Sequence, residues 1–222
     1  MKQLEINSLL DLSHTLAADY LSTFTYPWEA LGKISDFIKQ LGYTLPHDEY
    51  DNPEEHIWIA KNAEITPSAS LSAPCIVGKG AVIRHCAYLR GAVLVGESAV
   101  IGNSCEIKNS ILFDSVQVPH FNYVGDSILG YRAHMGAGAV TSNVKGDRSH
   151  VTLALPHGRV SLGGRKVGAI LGDSVEIGCG TVLNPGTVIG RHTQIYPLVS
   201  VRGFIPESHI VKSMSDIVAR KN

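Results

Sequence analysis

Every sixth residue from Ile59 to Ile107 is a branched aliphatic: Ile59, Ile65, Leu71, Val77, Ile83, Leu89, Val95, Ile101 and Ile107. From Ala63 on, a small or compact residue stands two places earlier: Ala63, Ala69, Cys75, Ala81, Ala87, Val93, Ala99, Cys105. Glycine follows the aliphatic at Gly78, Gly96 and Gly102. An amphipathic helix repeats about every 3.6 residues and a hairpin sheet about every 2, and neither fits. A period of six is the signature of a parallel β-helix, in which each repeat lays a short strand on one face and points its aliphatic at the axis. The grid slips by a residue or so through Leu112, Val118, Val124, Leu129 and Met135, then returns at Leu171, Ile177, Leu183, Ile189, Ile195 and Val201. The pattern predicts an all-β chain.

The flanks have other periods. Trp28, Leu31, Ile34, Phe37, Ile38 and Leu41 fall at helical spacing, with Pro27 suited to a first turn and Gly42 to a stop. Leu9, Leu12, Leu16 and Tyr20 suggest an earlier helix, and these helices are expected to cap one end of the coil stack. The acidic, proline-containing run His47 to His56 reads as a linker. Between residues 144 and 168 the grid fails. Val151, Leu153 and Leu155 alternate, Pro156-His157-Gly158 makes a turn, and Val160 and Leu162 alternate again, which predicts a hairpin extruded from the coils. The expected organisation is a helical segment and linker over 1–52, a β-helix over 53–206 with its loop at 144–168, and a tail over 207–222 ending in a short helix.

Nineteen basic against twenty acidic residues give a net charge of −1, which argues against nucleic acid or an anionic membrane as partner. No apolar run approaches the roughly 18 residues of a membrane span, and the first residues lack a signal-peptide pattern. A cytoplasmic protein is expected. Cys75, Cys86, Cys105 and Cys179 show no CxxC spacing; Cys75, Cys105 and Cys179 occupy slots that elsewhere hold small residues, so small buried thiols are expected.

Residues 108–143 hold the densest chemistry: His120 beside Pro119, Tyr123, a Gly125-Asp126 step, the turn Gly136-Ala137-Gly138, and Asn143. Arg90 precedes Lys108 by 18 residues, three hexapeptides or one full coil, so the two cations should stack on one edge. Cys179 and Pro197 are one coil apart by the same count.

These pieces carry a resemblance. YLRGA (88–92), EIKNSI (106–111), VPHFNYVGDSILG (118–130), MGAGAVTSN (135–143) and GRKVGAILGD (164–173) resemble the left-handed β-helix acetyltransferase domain of the bacterial bifunctional N-acetylglucosamine-1-phosphate uridylyltransferase and glucosamine-1-phosphate acetyltransferase. They are closer still to the C-terminal domain of related sugar-1-phosphate nucleotidyltransferases, and the resemblance covers roughly residues 57 to 205. YPWEAL (26–31) resembles the segment joining the two domains of those enzymes, but no glycine-rich nucleotide-binding loop precedes it, so nucleotidyl transfer is not expected.

The resemblance implies an acetyl-CoA-dependent N-acetyltransferase acting on a hexosamine 1-phosphate (glucosamine or galactosamine 1-phosphate). His120 matches the general base, a task that suits histidine because its ordinary pKa is near neutral. Arg90 and Lys108 match the sugar-phosphate clamp, while Tyr123, His134 and Asn143 match substrate contacts. Ala137 sits where a backbone N–H meets the thioester carbonyl, and Cys179 and Pro197 line the coenzyme A channel. A homotrimer is implied, with no metal. The chain departs from the bifunctional enzyme at His134 (an asparagine there), Val144 (a tyrosine) and Ser149 (a lysine at or near it), and Lys145, Arg148 or His150 would have to supply the missing charge. Alternatives are acyl transfer to another amine or to a nucleotide-linked amino sugar, and a non-catalytic sugar-phosphate-binding β-helix. A zinc enzyme on this fold would need a close histidine pair that the chain lacks.

Overall fold

A computed structural model describes residues 1–155 and 158–220. From Ile57 on the chain winds into a left-handed parallel β-helix of about eight turns, a three-sided prism. The first face stacks Ile57–Ala60, Cys75–Val77, Val93–Val95, the second halves of Glu106–Leu112 and Tyr123–Leu129, then Ala169–Leu171, Thr187–Ile189 and Phe204–Ile205. The second face runs from Glu64–Ile65 through Gln117–His120 and His134–Met135 to His209–Ser213. The third holds Tyr88–Leu89, the first halves of the two long strands, Val140–Thr141, Val182–Leu183 and Ser200–Val201.

The sixfold grid is the inward-facing set. Val77, Ile83, Leu89, Val95, Ile101 and Ile107 are fully buried, whereas Ile59, Ile65 and Leu71 of the first coil are half-buried at an open end. The slip in the grid is a shortening of the coil. Cys75 pairs with Val93, 18 residues on, but Val93 pairs with Ser110 and Ser110 with Ser127, each 17 on. The residue is lost at the corner between the third and first faces, where the strands run on through Asn109 and Asp126 at φ of +45° and +49°. Asn and Asp tolerate this left-handed conformation better than most residues.

The N-terminal segment does not sit over an end of the prism. It lies along the first face, where the 3₁₀ segment Pro27–Lys33 and the helix Ile34–Gly42 pack on the central coils. Ile76, Leu94, Ile111, Ile128, Ile170 and Val188 point outward from this face yet are all buried. Polar contacts fix the segment to the prism. The Leu31 carbonyl accepts from Asn109 Nδ2 at 3.2 Å, and the His14 ring stacks on Tyr131 at 3.6 Å. The Asp173 carboxylate accepts from the backbone N–H groups of Asp11 (2.8 Å) and Tyr131 (2.9 Å), with Arg191 Nε 3.1 Å away. Burial pushes the Asp173 carboxyl above its ordinary range, with Arg191 opposing.

Three further expectations are corrected. The acidic run is no linker: Tyr50–Glu54 pairs antiparallel with Ile57–Ala60 as an exposed edge strand, a setting in which Pro53 is tolerated. The tail is no helix either. His209–Ser213 continues the second face through Val211, which pairs with Ile195, and folds back on Asp216–Ala219. Cys75 and Cys105 are buried thiols, but Cys86 and Cys179 are exposed, because both lie at corners of the prism. The extruded loop does form a hairpin, Thr152–Leu155 against Gly158–Ser161. Two of its expected turn residues, Pro156 and His157, lie outside the described residues. Among the described residues no helix is long and apolar enough to cross a membrane.

Candidate functional site

Two corners of the prism flank the third face, and the residues singled out above divide between them. His120 ends a second-face strand at the corner leading to the third face. Gly102 makes this possible one coil earlier: a Cβ there would lie 1.5 Å from the Pro119 carbonyl oxygen. The His120 backbone is held on both sides, donating to Asn122 Oδ1 at 3.0 Å and accepting from the Gly138 N–H at 2.9 Å. Asn122 is buried and its Nδ2 donates to the carbonyls of Gly136 (2.8 Å) and Ala139 (2.9 Å). One amide thus ties the His120 corner to the turn around Ala137. Coil stacking continues the column, with Gly180 N–H on the Ala137 carbonyl (2.8 Å) and Leu198 N–H on that of Cys179 (2.9 Å). His120, Ala137, Cys179 and Pro197 therefore share one exposed edge.

Arg90 and Lys108 occupy the other corner. They stack as the 18-residue spacing requires, with Arg90 N–H on the Ile107 carbonyl at 2.8 Å. Neither cation stands alone. Arg90 Nη1 is 2.7 Å from Glu106 Oε1, and Lys108 Nζ is 3.2 Å from both Asp126 oxygens. Asp126, 5 % exposed in its side chain, also accepts from Asn109 Nδ2 at 2.8 Å and from Asn143 Nδ2. Asn143 Nδ2 reaches the Tyr123 hydroxyl at 3.2 Å. The phenol lies across Gly125, where a Cβ would meet its oxygen at 2.5 Å. Burial, then the Asp126 charge, pushes the Tyr123 hydroxyl above its ordinary pKa. A cavity of about 630 Å³ opens beside Asn109 and Asp126, bounded by the Trp28–Gly32 stretch and by Arg165 and Lys166 of the loop.

The buried carboxylate makes a testable claim about this corner. Asp126→Asn keeps the side-chain shape and the left-handed backbone but removes the charge facing Lys108. The loss of charged hydrogen bonds is expected to lower stability by about 1–3 kcal/mol. A urea midpoint unchanged from wild type would show that Asp126 does not organise the corner.

His134 is not brought to this group. It lies outward on the second face, between Gln117 and Glu176 in register, with Nδ1 2.9 Å from Glu176 Oε2. Of the departures, Val144 is exposed and bridges to Lys166, while Ser149 Oγ receives the Lys145 ammonium at 2.6 Å. Among the described residues no group of three or more His, Cys, Asp and Glu side chains is placed to hold a metal ion.

Sequence reasoning assigned no role to Asn122, Glu106 or Asp126. The last was visible as part of the Gly-Asp step and stands 18 residues, one full coil, after Lys108, but Asn109, 17 residues before it, becomes its neighbour through the shortened coil.

The architecture and its motifs define a hexapeptide-repeat β-helix protein. Residues 74–189, half of the chain, match the family described as the GMPPB C-terminal domain, and the chain belongs to that family. It is 36 % identical over 92 residues to a bifunctional sugar-1-phosphate nucleotidylyltransferase/acetyltransferase of Sulfurisphaera tokodaii, covering 41 % of this chain and 23 % of that one. It is 34 % identical over 116 residues to the bifunctional protein GlmU of Methanococcus maripaludis, covering 52 % of this chain and 28 % of that one. The matched stretch thus spans about a quarter of the length of these relatives. A solved structure of a putative acetyltransferase from Bacillus cereus aligns over 74 % of this chain and 77 % of its own, with 15 % identity and a TM-score of 0.40.

Proposed function

We propose that the chain is the acetyl-transfer module of an amino-sugar enzyme, moving the acetyl group of acetyl-CoA to the amine of a hexosamine 1-phosphate. The observation that carries this reading is the edge on which His120 and Ala137 lie on successive coils, locked together through Asn122. The amine nitrogen attacks the thioester carbonyl as the His120 imidazole takes its proton. The Ala137 N–H donates to the oxygen that gains charge, the kind of contact typically worth about 3 kcal/mol. The intermediate collapses by breaking the C–S bond, and the proton passes to the departing thiolate. Cys179 and Pro197, further along the edge, line the pantetheine path.

On the sugar side, Tyr123 and Asn143 meet the ring, and Arg90 and Lys108 exchange part of their carboxylate contacts for the 1-phosphate. The Arg90–Glu106 pair is reached by solvent, and the buried Asp126 keeps the Asn109 and Asn143 amides as donors when Lys108 turns to the phosphate. In the proposed homotrimer, donor and acceptor meet in a cleft between neighbouring prisms. The outward-facing His134 then reaches the acceptor from an adjacent chain.

The test follows thiol release from acetyl-CoA with glucosamine 1-phosphate, galactosamine 1-phosphate, glucosamine 6-phosphate and several amino acids as acceptors. Release with a 1-phosphate and not with glucosamine 6-phosphate or the amino acids is the expected result. No release from any acceptor by the folded protein would leave a β-helix that binds without catalysis.

A further inference from the structure

The extruded loop and the last coils enclose a second cavity, of about 530 Å³, that the proposed chemistry does not use. Its charged lining is Lys145 from the first limb of the loop, Arg159 from the hairpin, Arg202 from the corner of the last coils, and a single carboxylate, Asp147. Three cations against one anion leave an excess of two positive charges in one concave space. Asp147 is engaged locally, accepting from the Ser149 N–H at 3.0 Å and its hydroxyl at 2.8 Å, with Lys145 Nζ 3.7 Å away. Among the described residues no carboxylate lies within ion-pair distance of Arg159 or Arg202, in contrast to Arg90 and Lys108, each of which has one.

The cavity also has an apolar side, made by Val144, Ala154 and Pro185, with the polar side chains of Ser142 and Asn184 between. It is larger than a lone phosphate needs and within the range of small-ligand sites, roughly 300–1,000 Å³. Guanidinium groups converging from separate elements suit the several oxygens of a diphosphate better than one point charge does. Ser142 and Val144 flank Asn143, which bonds Asp126 and Tyr123, so the cavity begins one residue from the proposed sugar site.

We infer that this cavity binds the diphosphate of a nucleotide, with Arg159 and Arg202 as its two main anion contacts and the apolar side against ribose or base. The anion chemistry stands apart from the proposed acetyl transfer; only the adjacency to Asn143 rests on that reading. Two sources carry such a diphosphate, the acyl donor itself or a nucleotide-linked amino sugar as acceptor.

Titration calorimetry on the full chain separates them, using inorganic pyrophosphate, UDP, GDP and coenzyme A as probes against wild type and the double variant Arg159→Gln/Arg202→Gln. Pyrophosphate and at least one nucleotide are expected to bind wild type, more weakly as salt rises. The double variant should lose at least about tenfold in affinity, the size of one lost charge-assisted contact, with an unchanged melting temperature. Loss confined to coenzyme A assigns the site to the donor, and loss confined to UDP or GDP assigns it to a nucleotide-linked acceptor. No binding of pyrophosphate or any nucleotide, or binding indifferent to both substitutions, overturns the inference. Because the readout is binding, acetyl transfer can fail while this site stands, and the reverse.

Discussion

His120→Ala is expected to lower the turnover number for acetyl transfer by about two to four orders of magnitude, the usual contribution of a positioned general base. The fold should survive the change. Both hydrogen bonds that hold residue 120 are made by its backbone, to Asn122 Oδ1 and from the Gly138 N–H, and its side chain is exposed. Exposed substitutions away from special features shift stability by no more than about 0.5 kcal/mol. The loss should therefore appear in kcat at saturating acceptor, with KM for the 1-phosphate and the melting temperature little moved. Asn122→Ala is the instructive contrast. It removes the amide that serves three backbone groups at once, so stability and turnover should fall together. Turnover of His120→Ala within about threefold of wild type would remove the base from the proposed mechanism.

The period of six made the fold legible because it reports inward-facing side chains, and those depend only on the coil. What lies outside the coil left a weaker trace. Runs of three buried residues, Cys75-Ile76-Val77, Val93-Leu94-Val95 and Ala169-Ile170-Leu171, recur on the first face alone. A strand buried on both sides reads as a continuous apolar run, so these triplets already signalled that something covers this face. The helical spacing from Trp28 to Leu41 is a 3₁₀ segment running into the helix Ile34–Gly42. Leu9 to Tyr20, expected as one helix, breaks into the short turns Ile6–Leu9, Leu12–His14 and Ala18–Ser22. The whole segment lies against the triplets rather than over an end of the stack.

The charge pairs were only partly legible on a fixed grid. Lys108 and Asp126 stand 18 residues apart, one full coil, so that pair was within reach of the spacing. Arg90 reaches Glu106, 16 residues on and two off the register of Tyr88 with Glu106, and Asn109 meets Asp126, 17 on, because of where the residue is dropped. That position is marked only by Asn109 and Asp126, two residues suited to a left-handed corner. The column of His120, Ala137, Cys179 and Pro197 was legible residue by residue through the resemblance, but the Asn122 amide that binds its first two members together carried no motif.

Trp28→Ala is expected to destabilise the whole protein by about 3–5 kcal/mol, the range for removing a large buried aromatic. Trp28 is 5 % exposed, stacked on Tyr26 at 4.9 Å, in the segment whose start is fixed by Glu29 Oε2 accepting from the backbone of Thr25 and Tyr26. The neighbouring Leu31, Ile34 and Ile38 belong to one continuous hydrophobic core with Ile76, Leu94 and Ile111 of the prism. A segment sharing its core with the central coils cannot loosen without exposing them, so urea should still give a single transition, moved to lower concentration with little change in slope. Trp28→Phe, which keeps most of the buried ring, should lose less than half as much. If the segment were instead an independent cap, Trp28→Ala would produce a separate early transition while the coils kept their wild-type midpoint. That outcome would contradict the packing along the first face, and with it the account of why those outward residues are apolar.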